Sequence, residues 1–225
     1  GRFLLLLPET DALGAAIFKR RVFQELQAGE ALAIFGPRTR AKIHVAAASY
    51  PSDGTQLESL LRLLDERIEN DGSSLVREWV LDDLPLATCL ESLLGGGVEE
   101  RCETVSQITE FVLAEPIRRS ATRSLLFAAP GEMLREVFEA GLDALGGCSG
   151  ETAISILGEP PKQDTDDSET SLVRWVSRRG LGKLPLFLIY FGDGSAYAMI
   201  CEDAPGRDRT RFFQTCDRNL VEHLA

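Results

Sequence analysis

The alternation of apolar and polar positions begins with "GRFLLLLPETD", Gly1 to Asp11, in which the apolar run Phe3 to Leu7 is closed by Pro8. A short unbroken apolar run reads as a buried strand, and its pairing partner is expected upstream of Gly1. The run has no basic leader or small-residue cleavage site, so it does not read as a signal peptide. It also falls far short of the roughly 20 apolar residues that a membrane span needs. From Thr10 to Gly29 the period lengthens: Ala15, Phe18, Val22 and Leu26 recur at steps of three and four, predicting a helix with Thr10 or Asp11 as its N-cap and Gly29 as its stop. "KIHVAAASY", Lys42 to Tyr50, predicts a strand, and Pro51 to Gly54 a turn. Thr55 with Glu58 then offers a capping box for a helix striped by Leu57, Leu60, Leu61, Leu64 and Ile68, ended by Asn70-Asp71-Gly72.

Residues 73–97 give a weaker pattern. Pro85 interrupts any single long helix, and Gly95-Gly96-Gly97 is the best linker signal in the chain. A helix is expected from Val98 to Glu115, with Pro116 as its stop. Beyond it, strands are expected at Ser124 to Pro130, at Thr152 to Leu157, in "SLVRWV", on both sides of Asp193-Gly194, and in "RFFQT". The Asp-Gly pair between apolar runs predicts a two-residue hairpin turn of type I′, with positive φ at both centres. Helices are expected at Glu132 to Leu145 and after Asp217, which caps a last helix carrying Leu220, Val221 and Leu224.

Charge narrows the partners. The net charge is -11, divided as -1 over residues 1–72, -6 over 73–118 and -4 over 119–225. Such a field repels phosphate backbones and anionic membranes, so neither nucleic acid binding nor membrane insertion is expected. The five cysteines (Cys89, Cys102, Cys148, Cys201 and Cys216) are scattered and odd in number, the usage of a reducing cytoplasm. His44 and His223 lie near none of them in sequence, so no metal site is expected.

The segments "LLPETD" at Leu6 to Asp11, "YPSDGT" at Tyr50 to Thr55 and "LLRLLDE" at Leu60 to Glu66 together resemble the second half of a GGDEF domain, the diguanylate cyclase family. The resemblance covers residues 1–72, about a third of the chain. It implies that the opening run is the outgoing arm of the family's signature hairpin, with Phe3 at the final Phe, Arg2 at the acidic residue before it and Gly1 at the acidic position preceding that. Carboxylates there would hold the magnesium ions of a triphosphate substrate, and an arginine cannot ligate magnesium. The lysine-bearing segment that ends a helix in active members reads "DERIENDG" here. The resemblance therefore implies a degenerate, non-catalytic module. The family's product-binding Arg-x-x-Asp site would lie upstream of the signature, so cyclic di-GMP binding stays open. At the other end, "FLIYFGDGSAYAMICE" with the helix after it is similar to the closing hairpin and helix of GAF-type sensor domains.

Other motifs carry weaker chemistry. "GGCSG" places Cys148 at the centre of a Gly-x-nucleophile-x-Gly spacing, but it follows a helix and leads into a strand, the reverse of an elbow, so a glycine-rich helix cap is expected. "DTDDSE", Asp164 to Glu169, lacks the sixth-position glycine of a calcium loop and has Trp175 at the twelfth position, and reads as a solvated acidic loop. "RRGLGK", Arg178 to Lys183, reads as a basic loop rather than a phosphate cradle, because Leu184-Pro185 starts a strand directly after it. His44 and His223 fall in no catalytic motif and are expected to be structural. Trp79, Trp175, Phe187, Tyr190, Phe191 and Tyr197 are expected as core residues, unless the inner face of the last hairpin lines a sensor pocket.

The expectation is an α/β, mixed α+β protein: a partial GGDEF-like module (1–72), a helical connector (73–97) and a mixed α/β regulatory domain with an antiparallel hairpin (98–225). It would be a cytoplasmic bacterial signalling protein with no catalytic residues, no metal and no cofactor. It would act on other signalling proteins and be compatible with a homodimer. The alternative is a receptor that binds cyclic di-GMP or GTP without turnover.

Overall fold

The computed structural model describes residues 2–28, 43–72, 74, 79, 84–118, 123–146, 152–158, 173–178 and 184–225. Its elements make a mixed α/β chain that divides into two compact units, Gly1–Asp83 and Leu84–Ala225.

In the N-terminal unit the two helices form and the two strands do not. Helix α1 (Ala12–Ala28) starts where Asp11 acts as N-cap, its carboxylate accepting from the Gly14 N–H at 2.7 Å. Just before it Glu9 adopts φ 55°, so Pro8 and Glu9 turn the chain into the helix. Helix α2 (Leu57–Asp71) begins after Gln56, which makes no side-chain cap, so the Thr55 and Glu58 capping box is not formed. The helix closes at Gly72.

The expected strands at Phe3 to Leu7 and Lys42 to Tyr50 are corrected: residues 2–7 and 43–49 carry no β-ladder, and Phe3 is 96% and Leu6 88% exposed. A strand is stable only where another backbone satisfies its N–H and C=O groups. No described residue of this unit supplies such an edge. Polar clamps order the 43–54 segment instead. Arg67 reaches both Asp53 carboxylate oxygens, at 2.8 and 3.1 Å, and donates to the Ala47 carbonyl. The Ser49 N–H donates to Asp53 at 2.8 Å, and His44 Nδ1 lies 2.9 Å from Asp71. The Tyr50–Pro51 peptide within this segment is cis.

The C-terminal unit is built on one seven-stranded sheet. In chain order it contains α3 (Leu86–Gly95), β1 (Val98–Arg101), α4 (Cys102–Leu113), α5 (Glu115–Arg118), β2 (Ser124–Ala129), α6 (Arg135–Gly146) and β3 (Thr152–Leu157). These are followed by β4 (Val173–Val176), β5 (Leu186–Gly192), β6 (Ser195–Cys201), β7 (Arg209–Thr215) and α7 (Arg218–Leu224). The sheet order is β1-β7-β6-β5-β2-β3-β4; β2, β3 and β4 are mutually parallel and the other neighbours antiparallel.

Alternation along the strands sends side chains to opposite faces. Leu126, Ile156, Leu188 and Met199 meet Val105 and Val112 of α4 and Phe138 of α6 in one core. On the other face α7 packs on β5 and β6, and α3 packs on β6 and β7. Arg218 stands 4.8 Å from the Phe191 ring centroid there. Covered on both sides, β5 is buried along its whole length, which explains its continuous apolar run.

Three further expectations change. Val98 to Glu115 is not one helix, because its first four residues pair with β7 as β1, from Val98 opposite Phe212 to Arg101 opposite Arg209. Pro116 does not stop a helix but lies in the first turn of α5, where its missing N–H costs no hydrogen bond. Gly95 to Gly97 is no linker: it closes α3, and a Cβ on Gly97 would stand 2.6 Å from the Phe212 carbonyl oxygen, so only glycine fits this approach to β7. At the Asp193-Gly194 turn only Gly194 has positive φ, 78°, the pattern of a type II turn rather than type I′.

Candidate functional site

A groove of about 680 Å³ lies between α4 and the β5–β6 hairpin. One wall comes from α4, where Thr104, Ile108 and Phe111 recur at three and four residues and so share a face, with Glu115 at the start of α5 beyond them. The opposite wall is the sheet. Tyr190 and Tyr197 sit directly across from each other in the β5–β6 register, a cross-strand aromatic pair. Tyr190 is fully buried and forms the floor, while Tyr197 is half-buried. Gly194 and Ser195 of the turn, with Gln214 and Cys216 at the end of β7, complete the rim.

Hydrogen bonds fix this geometry. Tyr197 donates its hydroxyl to Gln214 Oε1 at 2.7 Å. Burial, and then the neighbouring Cys216, push the Tyr197 phenol well above its usual range, so it stays a neutral donor rather than an acid-base group. Buried Thr109 donates to the Val105 carbonyl at 2.8 Å, and its hydroxyl lies 3.6 Å from Met199 Sδ, tying α4 to β6. At the mouth Arg118 holds Glu115 at 2.6 Å, donates to the Phe111 carbonyl at 2.9 Å and lies 4.4 Å from the Phe111 ring centroid. No His, Lys or Arg is among the described lining residues, and Glu115 is the charged side chain among them.

The residues singled out from sequence fall in separate places. Cys148, Asp164 to Glu169 and Arg179 to Lys183 lie outside the described residues. Arg178 spans the carboxyl ends of the parallel strands, donating to the Leu157 carbonyl at 3.1 Å and the Pro130 carbonyl at 3.3 Å. Asp203 accepts from the Glu132 and Met133 N–H groups at 3.0 and 3.1 Å, so a carboxylate of the chain itself fills the turn before α6. Arg2 pairs with Asp65 of α2 at 2.8 Å, with both side chains exposed. His44 is held by Asp71, and His223 lies in the last turn of α7.

Phe187 and Phe191 are core residues, Trp79 is buried, and Trp175 packs against the core cluster. Only Tyr190 and Tyr197 meet at the groove. The hairpin register could have located them from sequence, whereas Phe111, Glu115 and Gln214 gave no signal beyond helical or strand periodicity. Among the described residues no three His, Cys, Asp or Glu side chains gather as a cation site, and no helix is long and apolar enough to cross a membrane. Comparison of the chain with family models, with curated proteins and with solved structures gives no match.

Proposed function

We propose that this chain is a non-catalytic bacterial regulatory protein whose C-terminal unit binds a small molecule in the α4–hairpin groove. One observation carries the reading: the groove is walled by aromatic and aliphatic side chains, with neutral polar groups and the carboxylate of Glu115 at its rim and no His, Lys or Arg among its described lining residues. That composition suits binding and orientation rather than bond making. The N-terminal unit enters the proposal through its motifs alone. "LLPETD" and "YPSDGT" resemble a GGDEF module, and Arg2 at an expected carboxylate position argues against magnesium-dependent cyclisation. In this reading occupancy of the groove changes contacts made with other signalling proteins.

The full chain incubated with GTP and magnesium tests the non-catalytic half. No cyclic di-GMP is the expected outcome, and steady production overturns it. A receptor for GTP or cyclic di-GMP is the alternative, and it needs cationic groups for the phosphates. The described lining of the groove has none.

A further inference from the structure

From the groove's shape and charge we infer its ligand class: an uncharged or singly cationic planar aromatic molecule, with anions, nucleotides among them, rejected. The inference rests on the binding reading above and sharpens it. The volume, about 680 Å³, lies inside the roughly 300–1,000 Å³ span of sites that hold drug-sized ligands.

The slot is bounded by a helix on one side and a sheet on the other, and rings occupy both walls: Phe111 on α4, Tyr190 and Tyr197 on the hairpin. Aromatic side chains pack best against flat π-systems, in offset or edge-to-face arrangements. Their negative faces attract cations and repel anions. Glu115 is the charged side chain at the mouth, and Arg118 lies against it, so this pair adds no net positive charge to the site. With no basic group among the described lining residues, the Arg118 guanidinium at the mouth engaged with Glu115, and a net charge of -11 on the chain, an anion entering the groove would meet neutral donors that offset its lost hydration less than a cationic partner would. For a neutral or ammonium-bearing ligand the rim offers Gln107, Gln214 and Ser195, which can take a single polar substituent.

Calorimetric titration of the full chain with three ligands on one skeleton tests this: 2-naphthalenemethanol, 2-naphthylmethylammonium and 2-naphthoate, with GTP as a fourth. The alcohol and the ammonium are expected to bind with Kd on the order of 10–100 μM, at least about tenfold tighter than naphthoate or GTP. Gln107→Trp, at an exposed helix position on the rim, is expected to weaken binding by about tenfold or more by blocking entry. Ser195→Trp repeats the block from the sheet side, so misfolding of one variant leaves the other decisive. Naphthoate or GTP binding as tightly as the alcohol, and blocked by either tryptophan, would overturn the ligand class while keeping the groove as a site. Absence of binding by all four, or binding that neither tryptophan affects, would overturn the groove itself.

Discussion

Leu4 to Leu6 and Leu186 to Leu188 are similar apolar stretches with opposite fates. The first is exposed and forms no ladder; the second is buried in the middle of a seven-stranded sheet. The difference is the neighbourhood, not the local pattern. In the C-terminal unit β5 has antiparallel partners on both edges and helices on both faces. Burial of each large side chain there contributes roughly 1.5–3 kcal/mol. In the N-terminal unit no described backbone forms a ladder with the leucines, α2 has no buried residue, and clamps such as Arg67 with Asp53 hold the 43–54 segment. Among the described residues, the C-terminal unit shows a broad apolar core and the N-terminal unit shows chiefly short polar contacts.

The widest gap between the units is expected on truncating a leucine. Leu188→Ala should cost the C-terminal unit about 2–5 kcal/mol, because the site cannot collapse around the void, whereas Leu5→Ala should shift stability by less than about 0.5 kcal/mol. The protein has two tryptophans, one in each unit. Denaturant unfolding followed by Trp175 in a Trp79→Phe background reads the C-terminal unit, and Trp79 in a Trp175→Phe background reads the other. A Leu5→Ala loss as large as that of Leu188→Ala would mean the opening run is buried in a ladder after all.

A smaller effect should separate the clamps within the N-terminal unit. Asp53→Ala leaves the Arg67 guanidinium largely buried without its carboxylate, at a cost of about 1–3 kcal/mol. Arg2→Ala removes an exposed pair with Asp65 and should cost under about 1 kcal/mol. Amide hydrogen exchange of residues 43–54 checks this, since faster exchange in Asp53→Ala alone fits the clamp. Equal acceleration in both variants breaks it.

Alkaline pH probes the C-terminal unit alone. Burial first, then Asp203 and Cys102, push the Cys201 thiol from its ordinary 9.0 up to about 12. The folded pKa is the higher one, so the stabilisation is fully present below pH 9. As pH rises the unfolded chain ionises first, and stability should fall through the interval up to about 12 by at most ~1.4 kcal/mol per pH unit. Cys201→Ala should flatten that slope in unfolding curves of the C-terminal unit recorded across the range. An unchanged slope would place the titrating group elsewhere.

Legibility in the sequence followed the same divide. The strands β2 to β7 and the Asp217-capped α7 were readable because their apolar runs do meet partners, so local pattern and tertiary outcome agree. The Phe3 to Leu7 run carries as strong an apolar signal but pairs with no strand among the described residues, and a local pattern cannot supply that partner. Strand β1 failed in the opposite sense. Val98, Glu99 and Arg101 are exposed, and backbone pairing with β7 makes it a strand without any alternating apolar signal. Of the groove, the hairpin tyrosines were legible as one face of a strand pair. The helical wall was not, because Phe111 looks like any apolar helix position until the sheet opposite it is placed.

Backbone amide NMR of the full chain titrated with 2-naphthalenemethanol tests the central claim most directly. Shift changes should concentrate at 104–115, 194–197 and 214–216, the segments that line the groove, and spare the amides of α1 and α2. Changes centred on the N-terminal unit, or none while the ligand reaches millimolar concentration, would contradict the assignment of binding to the C-terminal unit.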